Sequence, residues 1–151
     1  MMRRRIGICF SFACLIVLCQ SVPSRAAGVL ITQEEASLPP PKGAVVVDRR
    51  GVTRGPKIEL LSGSDNIQSP THFQLKFLSF GGATIDVTSV KVIYLRTPNV
   101  DLTERLKVFV QPAGIDMPDA SLPPGEHMLR VDLKDSDGRP GSTSFVLKVA
   151  R

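Results

Sequence analysis

The sequence predicts an all-β protein, a β-sandwich of about seven strands over residues 57–151, preceded by an extended leader at 27–56 and a secretory signal peptide at 1–26. Three observations carry this expectation. Beyond Pro56 apolar residues recur with a period of two. Clusters of Gly, Pro, Asn and Asp separate the apolar runs. No stretch of helical period and useful length interrupts them, the pattern of a sheet-on-sheet architecture.

At the N-terminus Arg3, Arg4 and Arg5 precede an apolar run at 6–18, and Ser24 and Ala26 supply the small residues of a cleavage site. This is a signal-peptide pattern with cleavage after Ala26. The run is shorter than the roughly 20 residues of a membrane-spanning helix, so no stable membrane insertion is expected after cleavage. Leu18 is too bulky for the residue before a lipid-modified Cys19. Arg3-Arg4-Arg5-Ile6-Gly7 lacks the apolar pair that follows a twin arginine. Ordinary export, to the periplasm or beyond, is the expected route.

The whole chain carries a net charge of +5. Four of its 19 basic residues, Arg3, Arg4, Arg5 and Arg25, leave with the signal, so 15 face 14 acidic residues and the mature charge is +1. A nucleic-acid partner is therefore not expected from overall electrostatics. All three cysteines, Cys9, Cys14 and Cys19, also lie in the signal. The exported chain is expected to use neither disulfides nor thiolate chemistry, and to be stabilised by packing alone.

In the leader, Thr32-Gln33-Glu34-Glu35 fits a capping box, which predicts one or two helical turns ending before Pro39. Pro39, Pro40 and Pro41 favour extended polyproline II. Residues 44–47 form a short apolar run with the character of an edge strand. Arg49, Arg50 and Arg54, interleaved with glycines, are the densest basic cluster and the candidate site for phosphate or an anionic glycan or lipid. As a plain charge cluster they read as a solvated linker.

The first apolar run of the sandwich lies at 58–61. Phe73, Leu75 and Phe77 then share one strand face. Residues 85–87 form a short run, and at 89–96 Val90, Val92 and Tyr94 share a face opposite Ile93 and Leu95. A further strand is expected at 106–110, with Val108 and Val110 together; residues 101–105 have room for one helical turn. Leu129, Val131 and Leu133 alternate with Arg130, Asp132 and Lys134. Phe145, Leu147 and Val149 close the series. A domain of this size buries enough surface to fold without staples, so 57–151 is expected to fold alone.

Residues 122–131 (LPPGEHMLRV), Asp135-Ser136-Asp137-Gly138 and residues 145–149 (FVLKV) together resemble the last hairpin of bacterial immunoglobulin-like domains. The likeness extends over roughly 57–150 and implies a Greek-key sandwich of the immunoglobulin type, without the disulfide and core Trp of antibody domains. Arg54-Gly55-Pro56, Asp101-Leu102-Thr103 and Asp137-Gly138-Arg139 are similar to stretches of small exported proteobacterial proteins. The resemblance implies a fold and no reaction. It also implies a structural role for His127, which stands where related sandwiches place a corner Tyr; a ring N–H is expected to donate to a carbonyl near Leu122.

No nucleophile elbow, zincin helix, phosphate-binding loop, dinucleotide turn or Cys/His metal cluster is present, so no cofactor is expected. A hydrolase would need His72 or His127 as its base, supplied with Ser or Asp from afar. Asp132, Asp135 and Asp137 offer oxygens to calcium, but Leu133 breaks an EF-hand spacing, and a turn built on Asp side chains explains them better. A stacking platform for sugars needs exposed aromatics, and the chain has one Tyr and no Trp. The expected function is that of a non-enzymatic exported module in protein interaction or envelope accessory work, with another envelope protein as partner.

Overall fold

A computed structural model describes residues 28–41 and 55–151. The expected signal peptide at 1–26, the apolar run at 44–47, and Arg49, Arg50 and Arg54 all lie outside the described residues. The elements in chain order are β1 (Gly28–Val29), α1 (Gln33–Ala36), β2 (Lys57–Leu60), β3 (Thr71–Leu78), β4 (Ile85–Tyr94), β5 (Val100–Asp101), α2 (Thr103–Leu106), a 3-10 turn (Lys107–Phe109), β6 (Val110–Gln111), β7 (Gly114–Ser121), β8 (Gly125–Asp135) and β9 (Pro140–Val149).

The strands form two sheets in a sandwich-like arrangement. The first has the order β1-β7-β3-β2, with β6 also paired to β7; the second has the order β5-β4-β8-β9. β1 runs parallel to β7, whereas the other strand pairs are antiparallel. Alternation puts Phe73, Leu75 and Phe77 inward from β3, and Leu129, Val131 and Leu133 inward from β8. They meet Val90, Val92, Tyr94, Ile115, Met117 and Leu147 in one core.

Several elements depart from the sequence expectation. The short run at 85–87 and the longer one at 89–96 belong to a single strand, β4, whose register with β8 shifts between Asp86 and Lys91. At the irregularity Asp86 Oδ1 accepts from the Thr88 amide at 2.9 Å and hydroxyl at 2.6 Å.

The strand expected at 106–110 is instead α2, the 3-10 turn and the start of β6. Asp101 Oδ1 accepts from the Thr103 amide at 2.8 Å and opens the helical turn. Leu102 and Leu106, four apart on one helical face, are both fully buried, whereas Val108 is 83% exposed. The apolar spacing that matters here is four, not two.

β7 (GIDMPDAS) occupies a stretch in which a bulge interrupts the strand alternation. Its Pro118 sits where the β3–β7 register slips, between Phe73↔Met117 and Thr71↔Ala120. A proline is tolerated in a sheet at such a bulge. Gly114 is required by close approach, because a Cβ there would stand 1.9 Å from the Leu75 carbonyl oxygen.

Residues 28–41 do not behave as a linker. They form a strap across the sandwich, and Leu30 and Ile31 belong to its core at 0% and 2% exposure. The Leu30 and Ile31 amides both donate to the Ser121 carbonyl, at 3.0 and 3.3 Å. Thr32 and Glu35 make the capping box reciprocally. Arg105 then binds the Leu30 carbonyl at 2.9 Å and both carboxylate oxygens of Glu35. At its far end, Pro39 and Pro40 offer carbonyls to the Thr97 amide and hydroxyl. The edge of the packed core therefore lies N-terminal to residue 57.

Candidate functional site

The N-terminal end of the strap and the 3-10 turn both lie beside β7, and an open concavity separates them. β6 covers the beginning of the free edge of β7 and β1 its end. Between them lies a cleft of about 580 Å³, lined by Gly28, Val108, Phe109, Gln111, the β7 segment 116–119 and His72. A shallower hollow of about 370 Å³ continues over the same sheet face past Gln74 and Lys76 to Leu61, sharing Gln111 and Asp116 with the first.

His72 and Asp116 reach this face because Phe73 and Met117, their neighbours in sequence, point the other way. Gln74 is the register partner of Asp116, which places His72 on its diagonal, within reach of a long side chain. The His72 Nε2–H donates to Asp116 Oδ1, with both side chains about half exposed. Asp119 forms no ion pair among the described residues. The exposed Val108, with Phe109 beside it, adds an apolar rim.

In chemical terms the cleft offers a carboxylate–imidazole pair, a second carboxylate, one amide and an apolar wall. Among the described residues no Ser, Thr, Cys or Lys lines it, and His72 has a carboxylate partner but no nucleophile among those lining residues. Among the described residues no group of three His, Cys, Asp or Glu side chains could hold a metal ion.

The three aspartates considered for calcium are used separately. Asp135, buried at the end of β8, accepts from the Asp137 and Arg139 amides at 3.0 and 2.9 Å and from Arg139 Nε at 2.7 Å. Desolvation pushes its pKa up, but the Arg139 donors and the Asp137 amide outweigh that and hold the carboxyl below its ordinary value. Asp137 pairs with Arg139, and Asp132 with Arg130 and Ser142. These carboxylates tie a turn together, with Gly138 at φ +76° closing it.

His127 lies away from the cleft and is 1% exposed. Its Nε2 meets the Pro123 carbonyl at 2.7 Å and its Nδ1 meets the Tyr94 hydroxyl at 2.9 Å. A carbonyl only accepts, so Nε2 carries the proton and Nδ1 accepts from Tyr94. The Tyr94 oxygen in turn accepts from Arg96 Nε at 2.7 Å, and a second Arg96 nitrogen donates to the Glu126 carbonyl at 3.1 Å. Burial holds the His127 pKa below 6.5; the Pro123 carbonyl opposes that shift and the Arg96 charge adds to it. With both ring nitrogens engaged inside the fold, this imidazole is a structural corner. Comparison with protein-family models, with curated proteins and with solved structures returns no match to this chain.

Proposed function

We propose that the protein is an exported, non-enzymatic immunoglobulin-like module that binds another envelope protein through the outer face of its first sheet. The Greek-key assignment is supported by strand order. If β2, β3, β4, β5, β6, β7, β8 and β9 are taken as A, B, C, C′, D, E, F and G, the sheets become A-B-E-D and C′-C-F-G, the immunoglobulin arrangement. The His127 to Pro123 bond at the start of β8 supports the same assignment, since it occupies the corner before strand F. Export rests on the residue pattern of 1–26.

One observation carries the interaction reading. A single open cleft joins an apolar rim, including Val108 at 83% exposure, to the carboxylates of Asp116 and Asp119. Apolar side chains held in water beside a few orienting polar groups are what a protein-binding surface requires. The test is partner binding by the full chain, comparing Val108→Ser and Asp119→Lys with the parent. Both variants are expected to lose the partner while retaining the parent's unfolding midpoint. Undiminished binding by both would reject this face.

A further inference from the structure

The corner at His127 and the docking of the strap share one stretch of backbone. Arg96 donates to Tyr94 and to the Glu126 carbonyl, and the next residue, Thr97, holds the strap through its amide to Pro39 at 3.0 Å and its hydroxyl to Pro40 at 3.1 Å. We propose that His127, Tyr94 and Arg96 form an acid-responsive latch, in which protonation of His127 displaces Arg96 and releases Pro39 and Pro40 from Thr97.

The donors and acceptors in this chain have one arrangement when the ring is neutral. Arg96 Nε–H donates to the Tyr94 oxygen, the Tyr94 hydrogen goes to His127 Nδ1, and His127 Nε2–H goes to Pro123. A second proton on the ring turns Nδ1 into a donor. The phenolic oxygen then faces donors from both sides, and its own hydrogen loses its acceptor in a site with no solvent. An imidazolium and a guanidinium would also stand with one oxygen between them. Arg96 is the member able to leave, because its bond to the Glu126 carbonyl is exposed.

The charged and titratable groups around the ring are few. β4 contributes Tyr94 and Arg96. On β8 the adjacent Glu126 supplies its carbonyl, while its carboxylate lies on an exposed residue. β9 places Leu147 opposite His127 in register, and its neighbour Lys148 is engaged by Asp65. Among the described residues no carboxylate binds the ring to offset a new positive charge. Thr97 follows Arg96 in the chain, so in the latch the movement of Arg96 passes through their shared peptide to the Thr97 amide that holds Pro39, and with it to the hydroxyl that holds Pro40.

The sequence supplies its own probe. Tyr94 is the only Tyr and there is no Trp, so tyrosine fluorescence of the full chain reports on the latch directly. Between about pH 8 and pH 5, the range in which histidine changes charge, Tyr94 emission and the hydrogen-exchange protection of the Thr97 amide are expected to change with one common midpoint. Thr97 protection should fall about tenfold relative to the core amide of Val131, the signature of local opening. Arg96→Met removes both the opposing charge and the group that is displaced, so the Tyr94 midpoint should move to higher pH while Thr97 protection no longer falls with acid. In His127→Gln, which cannot take up the proton and leaves Tyr94 the only Tyr, both profiles should be flat. Parent Thr97 protection that follows Val131 throughout, a Thr97 transition that survives in Arg96→Met, or a surviving transition in folded His127→Gln would each overturn the latch.

Discussion

Arg105 and Glu35, seventy residues apart in the chain, form a two-pronged ion pair with N···O distances of 2.7 and 2.6 Å. Planar guanidinium and carboxylate match in two parallel bonds, the strong geometry for such a pair. A third bond, from Arg105 to the Leu30 carbonyl, means that one side chain holds both ends of the strap's first turn. Arg105→Ala is expected to cost about 1.5–3 kcal/mol, the scale of bonds to charged groups. Urea unfolding at neutral pH measures it.

The same pair makes stability acid-sensitive. Hydrogen bonding from Arg105, set against desolvation and aided by Thr32, lowers the Glu35 pKa from 4.5 to about 2. A folded pKa below the unfolded one stabilises the protein fully above pH 4.5 and progressively less as pH falls towards 2. In Glu35→Gln this part of the acid loss should disappear. An unchanged acid limb would show that other carboxylates dominate it.

Strap and sandwich should unfold together. Leu30→Ala is expected to cost about 2–5 kcal/mol, the usual range for emptying a buried leucine site. Removing residues 28–41 would delete Leu30 and Ile31 from the core, so a chain of 57–151 alone should unfold at distinctly lower denaturant than the parent. Equal midpoints would restore the boundary at residue 57.

Phe77→Ala should cost about 3–5 kcal/mol, because its ring is buried on the inward face of β3. A loss below about 1 kcal/mol would reverse the phase of that strand.

His127→Ala leaves the Pro123 carbonyl and the Tyr94 hydroxyl without their partner, at a cost of about 1–3 kcal/mol at pH 7. Since burial depresses the folded pKa of His127, its contribution is full above about pH 6.5 and declines as pH falls below that value towards the folded pKa. The difference between parent and variant, followed by denaturant unfolding against pH, should therefore shrink on acidification.

What was legible in the sequence follows from how each element meets water. β3, β8 and β9 bury one face and wet the other, so Phe73, Leu129 and Leu147 fall into a period of two. β7 also alternates, but Pro118 and Asp119 at its bulge break the pattern, and Gly114 is there for close backbone approach. Leu30 and Ile31 are too short a run to show any period, although the capping box beside them is plain in Thr32 and Glu35. The cleft is least legible. Gly28, His72, Val108, Gln111 and Asp116 come from five separate elements, and only the sheet register brings them together.

The proposed binding face is tested most directly by site-specific photo-crosslinking of the full chain in the cells that produce it. One crosslinker replaces Val108 at the cleft, and another replaces Lys91, an exposed residue of β4 on the second sheet. The expected result is one discrete protein adduct from position 108, lost when Asp119→Lys is added, and none from position 91. Matching adduct patterns from the two positions, or an adduct at 108 indifferent to Asp119→Lys, would contradict a binding site on the first sheet.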